Sequence, residues 1–243
     1  MADADDCFAH PRLAAIYDPL DPDRSDLHAY LRMAEAFEAR RVLDIGCGTG
    51  VFALLLADRG IEVVGVDPAL ASIEVARAKP GSERVRWSCG VATDLPPLRV
   101  DLATMTANVA QAIVGPPTWA KTLQGAYEAL VPGGHLVFET RVRAKRAWEE
   151  WTRESTYRVV EIPGVGSVES WVQLIDVSLP LVTIRWTYGF ATDGQVLTSD
   201  STLRFREREE VEADLVAHGY VVEGVRDAPD RPGKEFVFLA QRP

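Results

Sequence analysis

Cysteine is scarce in this chain of 243 residues: Cys7, Cys47 and Cys89 are odd in number and have no C-x-x-C spacing. Neither a disulfide frame nor a zinc site is expected from them, and no metal is predicted. No apolar run approaches the roughly 18 residues of a membrane-crossing helix. The acidic opening residues are unlike a signal peptide. Basic residues are also outnumbered, 26 Lys and Arg against 36 Asp and Glu, for a net charge of -10. That balance disfavours a nucleic-acid surface, which needs clustered cations facing phosphates. These absences point to a cytoplasmic enzyme handling a small molecule, with no nucleic acid and no membrane; a homodimer stays open. What is present is apolar material for a core: 47% of the residues are hydrophobic, enough for one large domain or one domain with an elaboration.

The most informative stretch is Val42-Leu43-Asp44-Ile45-Gly46-Cys47-Gly48-Thr49-Gly50. Its apolar start reads as a short buried strand. Three alternate glycines then make a tight turn whose backbone can approach a ligand closely, and residues 51–58 read as the helix that follows. The unpaired N–H groups of that helix give the turn a positive end. About 20 residues on, Asp67 closes the next strand, 61–66, where a carboxylate is placed to accept hydrogen bonds from a ribose diol. Strand, glycine turn, helix, strand and acid predict a nucleoside-containing cofactor. A dinucleotide fingerprint spaces its glycines G-x-G-x-x-G; here the spacing is G-x-G-x-G, with Asp44 just before it.

This arrangement closely resembles motif I of the class I S-adenosylmethionine-dependent methyltransferases of the small-molecule type. The resemblance implies a Rossmann-like, doubly wound α/β fold: a mainly parallel seven-stranded sheet with an antiparallel last strand. Its cofactor is S-adenosylmethionine, giving S-adenosylhomocysteine as product. Asp44 is then expected near the cationic amino group and sulfonium, with Gly46, Cys47 and Gly48 of the turn, Asp67 and the adjoining Pro68 around the nucleoside. Further along, Cys89-Gly90-Val91-Ala92-Thr93-Asp94-Leu95-Pro96 is similar to the family's adenine-holding G-D-A-x-x-L-P segment. Val91 departs from it, standing where the family has an aspartate. The Ala92 N–H remains to reach the ring, and Val91 to pack on its face. The Leu130-Val131-Pro132-Gly133-Gly134 turn before a fifth strand is another family feature.

The remaining expectations follow the chain. Residues 1–40 are expected to form an N-terminal lid and helix, the helix over 27–39, with Tyr17 as a cofactor contact and Tyr30 as second choice. Residues 41–140 and 207–243 are the expected cofactor-binding core. The fourth strand, 100–105, runs into Thr106, Asn108 and Gln111, beyond the carboxyl ends of the strands where ligands sit. Thr106 is expected at the cofactor, and Asn108 and Gln111 in the substrate pocket.

Residues 141–206 depart from the minimal fold. A helix is predicted over 144–153, and strict alternation then places Ile184, Trp186, Tyr188 and Phe190 on one face of a strand. Asp193-Gly194 is a hairpin signal, and 168–177 is a third strand. The reading is a small antiparallel β insertion that covers the substrate, forms a dimer surface, or packs on the main domain; Trp186 is its candidate pocket residue. Arg141, Arg143, Lys145 and Arg146 form a basic cluster, read as a solvated helix start or as a greeting for an anionic substrate.

Methyl transfer from a sulfonium mainly requires alignment of nucleophile, methyl carbon and sulfur. A base is needed only for an acceptor that is a poor nucleophile when protonated. No signature supplies one; His10 and His28, in the lid region, are the candidates. Two other classes stay open: a non-catalytic module that binds S-adenosylmethionine, and a dinucleotide-dependent oxidoreductase, which would need a glycine spacing this chain lacks.

Overall fold

The computed structural model describes residues 4–243, so residues 1–3 of the expected lid lie outside the described residues. Three helices come first, α1 (Asp6–Ala9), α2 (Pro11–Leu20) and α3 (Leu27–Ala36). Strands and helices then alternate: β1 (Arg41–Ile45), α4 (Val51–Ala57), β2 (Glu62–Asp67), α5 (Leu70–Ala78), β3 (Val85–Cys89), β4 (Val100–Met105), α6 (Val109–Ala112), α7 (Pro116–Ala129) and β5 (Leu130–Arg141). A short α8 (Arg153–Thr156) leads into β6 (Arg158–Ile162), β7 (Gly166–Ser178), β8 (Leu181–Phe190) and β9 (Val196–Arg204). The chain ends with α9 (Arg208–Ala217), β10 (Val221–Asp227) and β11 (Glu235–Gln241).

Two sheets result. The larger has seven strands in the order β10-β11-β5-β4-β1-β2-β3. Its first five strands by chain order pair in parallel, and β11 runs antiparallel to β5 and β10. This is the doubly wound sheet with an antiparallel last strand that the motif resemblance implies. Its central strands are buried on both faces, as parallel strands covered by crossover helices must be. On one face Trp119 and Leu123 of α7 pack with Val211 and Leu215 of α9. On the other, Leu27 and Leu31 of α3 pack with Phe52 and Leu56 of α4.

The smaller sheet is antiparallel, in the order β6-β7-β8-β9. It has one strand more than the alternation showed, since β6 is short and alternates only weakly. The helix expected over 144–153 is not there. Two tight turns replace it, divided by Arg146 in a left-handed conformation (φ 48°) that an α-helix cannot absorb.

A helix not anticipated, α2, ties the two sheets together. Pro11 sits at its first position, where a missing N–H costs nothing, and the His10 ring accepts a hydrogen bond from the Arg12 N–H as its cap. Leu13, Ile16 and Leu20 of α2 bury against Ile162, Val168, Tyr188 and Phe190 of the small sheet. Arg12 pairs with Asp193 at 2.7 Å on that side. On the core side Asp18 accepts from the Thr49 hydroxyl at 2.6 Å and pairs with Lys79 at 2.5 Å.

Candidate functional site

The parallel strands end together on one edge, and a cavity of about 700 Å³ opens there between the large sheet, the N-terminal helices and the small sheet. One half is built by the glycine turn. Gly46 and Gly48 take left-handed conformations (φ 70° and 52°), which a side-chain-bearing residue enters only at a cost. A methyl group at Gly46 would sit 2.6 Å from the Val109 methyls, whereas one at Gly48 would meet nothing within 4 Å. Gly48 therefore presents bare backbone to the cavity, which it lines.

Asp67 is buried at the end of β2, and both its carboxylate oxygens are fixed. Oδ2 accepts from the Gly48 N–H at 2.9 Å and Oδ1 from the Ala69 N–H at 2.8 Å. Burial raises its carboxyl above the ordinary range, and the two N–H donors oppose that. Each oxygen keeps acceptor capacity, so a rigid carboxylate faces the cavity.

Of the other residues singled out in the sequence, Tyr17, Cys47, Pro68, Val91, Ala92, Thr106, Asn108 and Trp186 also line this cavity. Asp44 and Gln111 do not, being buried one layer behind it. Asp44 Oδ1 accepts from the Thr104 hydroxyl at 3.1 Å, while Oδ2 has no partner among the described residues. Burial pushes this carboxyl up to about 7, partly offset by the Thr104 hydrogen bond. Gln111 instead receives the Arg141 guanidinium on its Oε1 at 3.1 Å. Tyr30 is a core residue whose hydroxyl donates to Glu139. His10 is the cap of α2 and His28 is exposed; neither borders the cavity.

The second half of the cavity lies against the small sheet and has a mixed wall. Ile184, Trp186 and Tyr188 of β8 face it, together with Trp151, Arg141 and Arg158. Trp186 and Tyr188 are stacked, with ring centroids 6.2 Å apart and planes 18° from parallel. Burial raises the hydroxyl of Tyr17 to about 12 and shifts that of Tyr188 upward too, so both stay protonated at neutral pH. The segment between β4 and α7 closes the cavity from above. Ala107 and Asn108 are both left-handed there (φ 56° and 60°), and two buried side chains hold them in place. Glu139 accepts from the Asn108 N–H at 2.8 Å, and Arg206 donates to the carbonyls of Ala110 at 2.8 Å and Ile113 at 2.6 Å. Burial lifts Glu139 to about 7 and lowers Arg206 to about 10.

Sequence reasoning did not reach Glu139, Arg206, Trp151 or Arg158. They approach the site only through tertiary contacts and carry no local motif. Among the described residues no cluster of three metal-type side chains occurs, and no helix is long and apolar enough to cross a membrane.

Residues 42–134, which span the glycine turn, Asp67 and the strands that end at the cavity, match the methyltransferase domain family. A curated relative, the ubiquinone biosynthesis O-methyltransferase of Idiomarina loihiensis, is 31% identical over 114 residues, covering 45% of each chain. The chain thus spans about half the length of the curated relatives it matches. Solved structures agree on the fold over nearly the whole chain. A methyltransferase from Streptomyces caelestis superposes with a TM-score of 0.76 at 22% identity, covering 98% of this chain and 99% of that one. An amino pentose methyltransferase from Micromonospora echinaspora, solved with S-adenosylmethionine bound, gives 0.69 at 22% identity, covering 94% and 95%.

The residues of the matched segment fit the cofactor that the methyltransferase family implies. The bare backbone at Gly48 and the fixed Asp67 carboxylate suit a ribose. Behind them, the orphaned Asp44 oxygen gives that end of the site an unmatched acceptor, suited to a ligand cation.

Proposed function

We propose that the protein transfers a methyl group from S-adenosylmethionine to a small molecule held between the methyltransferase domain and the small sheet. The observation that carries this reading is the Asp67 carboxylate, fixed by two backbone N–H groups beside the open Gly48 cradle. When bound, the cofactor supplies a methyl group already activated for displacement. Asp67 would hold the ribose hydroxyls, Gly46, Cys47 and Gly48 the adjoining chain, and Pro68, Val91 and Ala92 the adenine. Thr106 and Tyr17 would line the methionyl end, with the Asp44 charge behind it. Residues 4–40 and the insertion, 141–206, form the cover; Trp186 and Asn108 are its acceptor contacts, while Gln111 acts from behind through Arg141. The protein's own part is to orient: the stacked aromatic wall fixes the acceptor's plane, and the cover excludes water. Neither His10 nor His28 is placed to take a proton, so the reading favours an acceptor that is nucleophilic without a histidine base.

The same reading places the protein in the cytoplasm and away from nucleic acid, in keeping with a net charge of -10. It also allows a homodimer through the outer end of β7, where Leu174, Ile175 and Val177 are exposed; sedimentation would check that. The functional test is calorimetric titration with S-adenosylmethionine, S-adenosylhomocysteine and NAD in parallel. Binding of both adenosyl ligands without NAD is expected. NAD binding alone overturns the reading, and adenosyl binding without transfer to any acceptor makes the protein a non-catalytic module.

A further inference from the structure

Of the basic cluster Arg141, Arg143, Lys145 and Arg146, only Arg141 enters the cavity. Arg143 pairs with Glu207 and Arg146 with Glu149, both outside it. Arg141 closes β5, surrounded by protein, and its side chain keeps 21% of its exposure. Its guanidinium sits 5.4 Å from the centroid of Trp151, which lines the same half of the cavity.

The hydrogen bonds of this guanidinium are incomplete. Nη1 donates to Gln111 Oε1 at 3.1 Å, a neutral acceptor. The nearest carboxylate, Glu235, lies 3.7 Å from Nε, beyond hydrogen-bond range. The Glu235 oxygen concerned already takes Arg231 at 2.8 Å and the Asn108 amide at 3.1 Å. Glu139, the other acid nearby, is engaged by Tyr30 and the Asn108 N–H and sits near neutrality at about 7. Arg231 thus holds Glu235 directly and meets Asp230 at 3.5 Å as well, while Arg141 has no direct hydrogen bond to a carboxylate. The remaining positive charge belongs to Arg141, whose Nη2 has no hydrogen-bond partner among the described residues. Burial lowers its pKa, and the nearby Glu235 and Glu139 oppose that. A cation that lines the cavity without a direct carboxylate hydrogen bond offers an anion a charge-assisted pair.

We propose that Arg141 anchors a carboxylate carried by the methyl acceptor, the rest of the acceptor lying along Trp151 and Trp186. The proposal rests on the methyltransferase reading and deepens it by naming the acceptor's chemistry. A planar guanidinium edge matches a carboxylate's two oxygens; the other cation on this wall, Arg158, donates to the Ser170 hydroxyl at 3.3 Å, so a phosphate is the competitor the test has to exclude. The aromatic walls suit a flat or ring-shaped body attached to that group.

The test titrates benzoate, its neutral isostere benzamide, and phenyl phosphate into protein saturated with S-adenosylhomocysteine, followed by saturation-transfer NMR. Benzoate is expected to bind about tenfold more tightly than benzamide, the scale of a charge-assisted pair. Arg141→Gln should abolish the preference, with S-adenosylhomocysteine affinity retained as proof of folding. Should that variant not fold, Arg141→Lys keeps the charge without the fork and should lose about threefold or more of benzoate affinity. Equal binding of benzoate and benzamide, no binding of either, or a preference that survives Arg141→Gln or is undiminished in Arg141→Lys overturns the proposal. Tighter binding of phenyl phosphate than benzoate also overturns it. Failure of the wild type to bind S-adenosylhomocysteine would count against the methyltransferase reading instead; the benzoate comparison can then be run on the ligand-free protein.

Discussion

Replacing Asp44 by Asn should make the ligand-free protein more stable in mild alkali while weakening its hold on the cofactor. The Asp44 carboxyl titrates at about 7 in the fold against an ordinary 3.8. Between those values the folded protein holds a proton that the unfolded chain releases, so stability falls as pH rises through the window. At about 1.4 kcal/mol per pH unit, keeping Asp44 ionised at pH 8 costs on the order of 4 kcal/mol. Asn keeps the acceptor for the Thr104 hydroxyl but leaves one amide donor unpartnered, a cost of about 1–3 kcal/mol. The expected net gain at pH 8 is therefore on the order of 1–3 kcal/mol. At pH 5 wild-type Asp44 is already neutral, and the gain should vanish. Urea unfolding of both proteins at pH 5 and pH 8 measures the difference directly. An equal effect of the substitution at the two pH values would show that Asp44 is not the buried, unneutralised group described here. The accompanying loss, roughly tenfold or more in S-adenosylmethionine affinity, would show that the destabilising charge is retained for the ligand.

Three further outcomes are expected. Asp67→Ala should weaken S-adenosylmethionine binding by about 1–3 kcal/mol, the scale of a hydrogen bond to a charged group; unchanged calorimetric affinity would mean the ribose lies elsewhere. Gly46→Ala should destabilise by about 1–3 kcal/mol, from its left-handed backbone and a close approach to Val109. Adding Val109→Ala should return part of that loss, giving a non-additive double-mutant cycle in thermal unfolding. Asp18→Ala removes the ties to Thr49 and Lys79; amide exchange in residues 11–20 should then quicken while the strands of the large sheet stay protected.

The sequence carried the cofactor half of the cavity because its chemistry is local: a turn, a helix start and an acid lie within 26 residues, from Val42 to Asp67. The parallel sheet was legible for the same reason, each strand and crossover helix announcing itself by its own periodicity. Asp44 shows the limit of such reading, since the motif resemblance implied a place at the cofactor but not one layer behind the cavity wall. Helix α2 was hidden by Asp18-Pro19-Leu20-Asp21-Pro22-Asp23, whose turn chemistry outweighed the helical spacing of Leu13, Ile16 and Leu20. The partners that justify that spacing, Val168 and Tyr188 among them, lie some 150 residues later, beyond any local window. Of the four basic residues from the end of β5 onward, nothing in the sequence marks Arg141 as the one turned inward. That follows from its place as the last residue of β5, beside β11.

The bridge made by α1 and α2 sets an order of assembly. Cys7 reaches Ser199 across 192 residues of chain, and Arg12 reaches Asp193 across 181. Contacts of such separation are closed late, because the loop entropy must be spent before they give anything back. Residues 6–20, synthesised before β8 and β9, therefore wait for those strands before their own packing is complete. The glycine turn and Asp67 need no such delay. A nascent chain would possess a nucleoside-binding edge before it possessed a roof, and S-adenosylmethionine present during synthesis could act as a template on which the late-forming half settles.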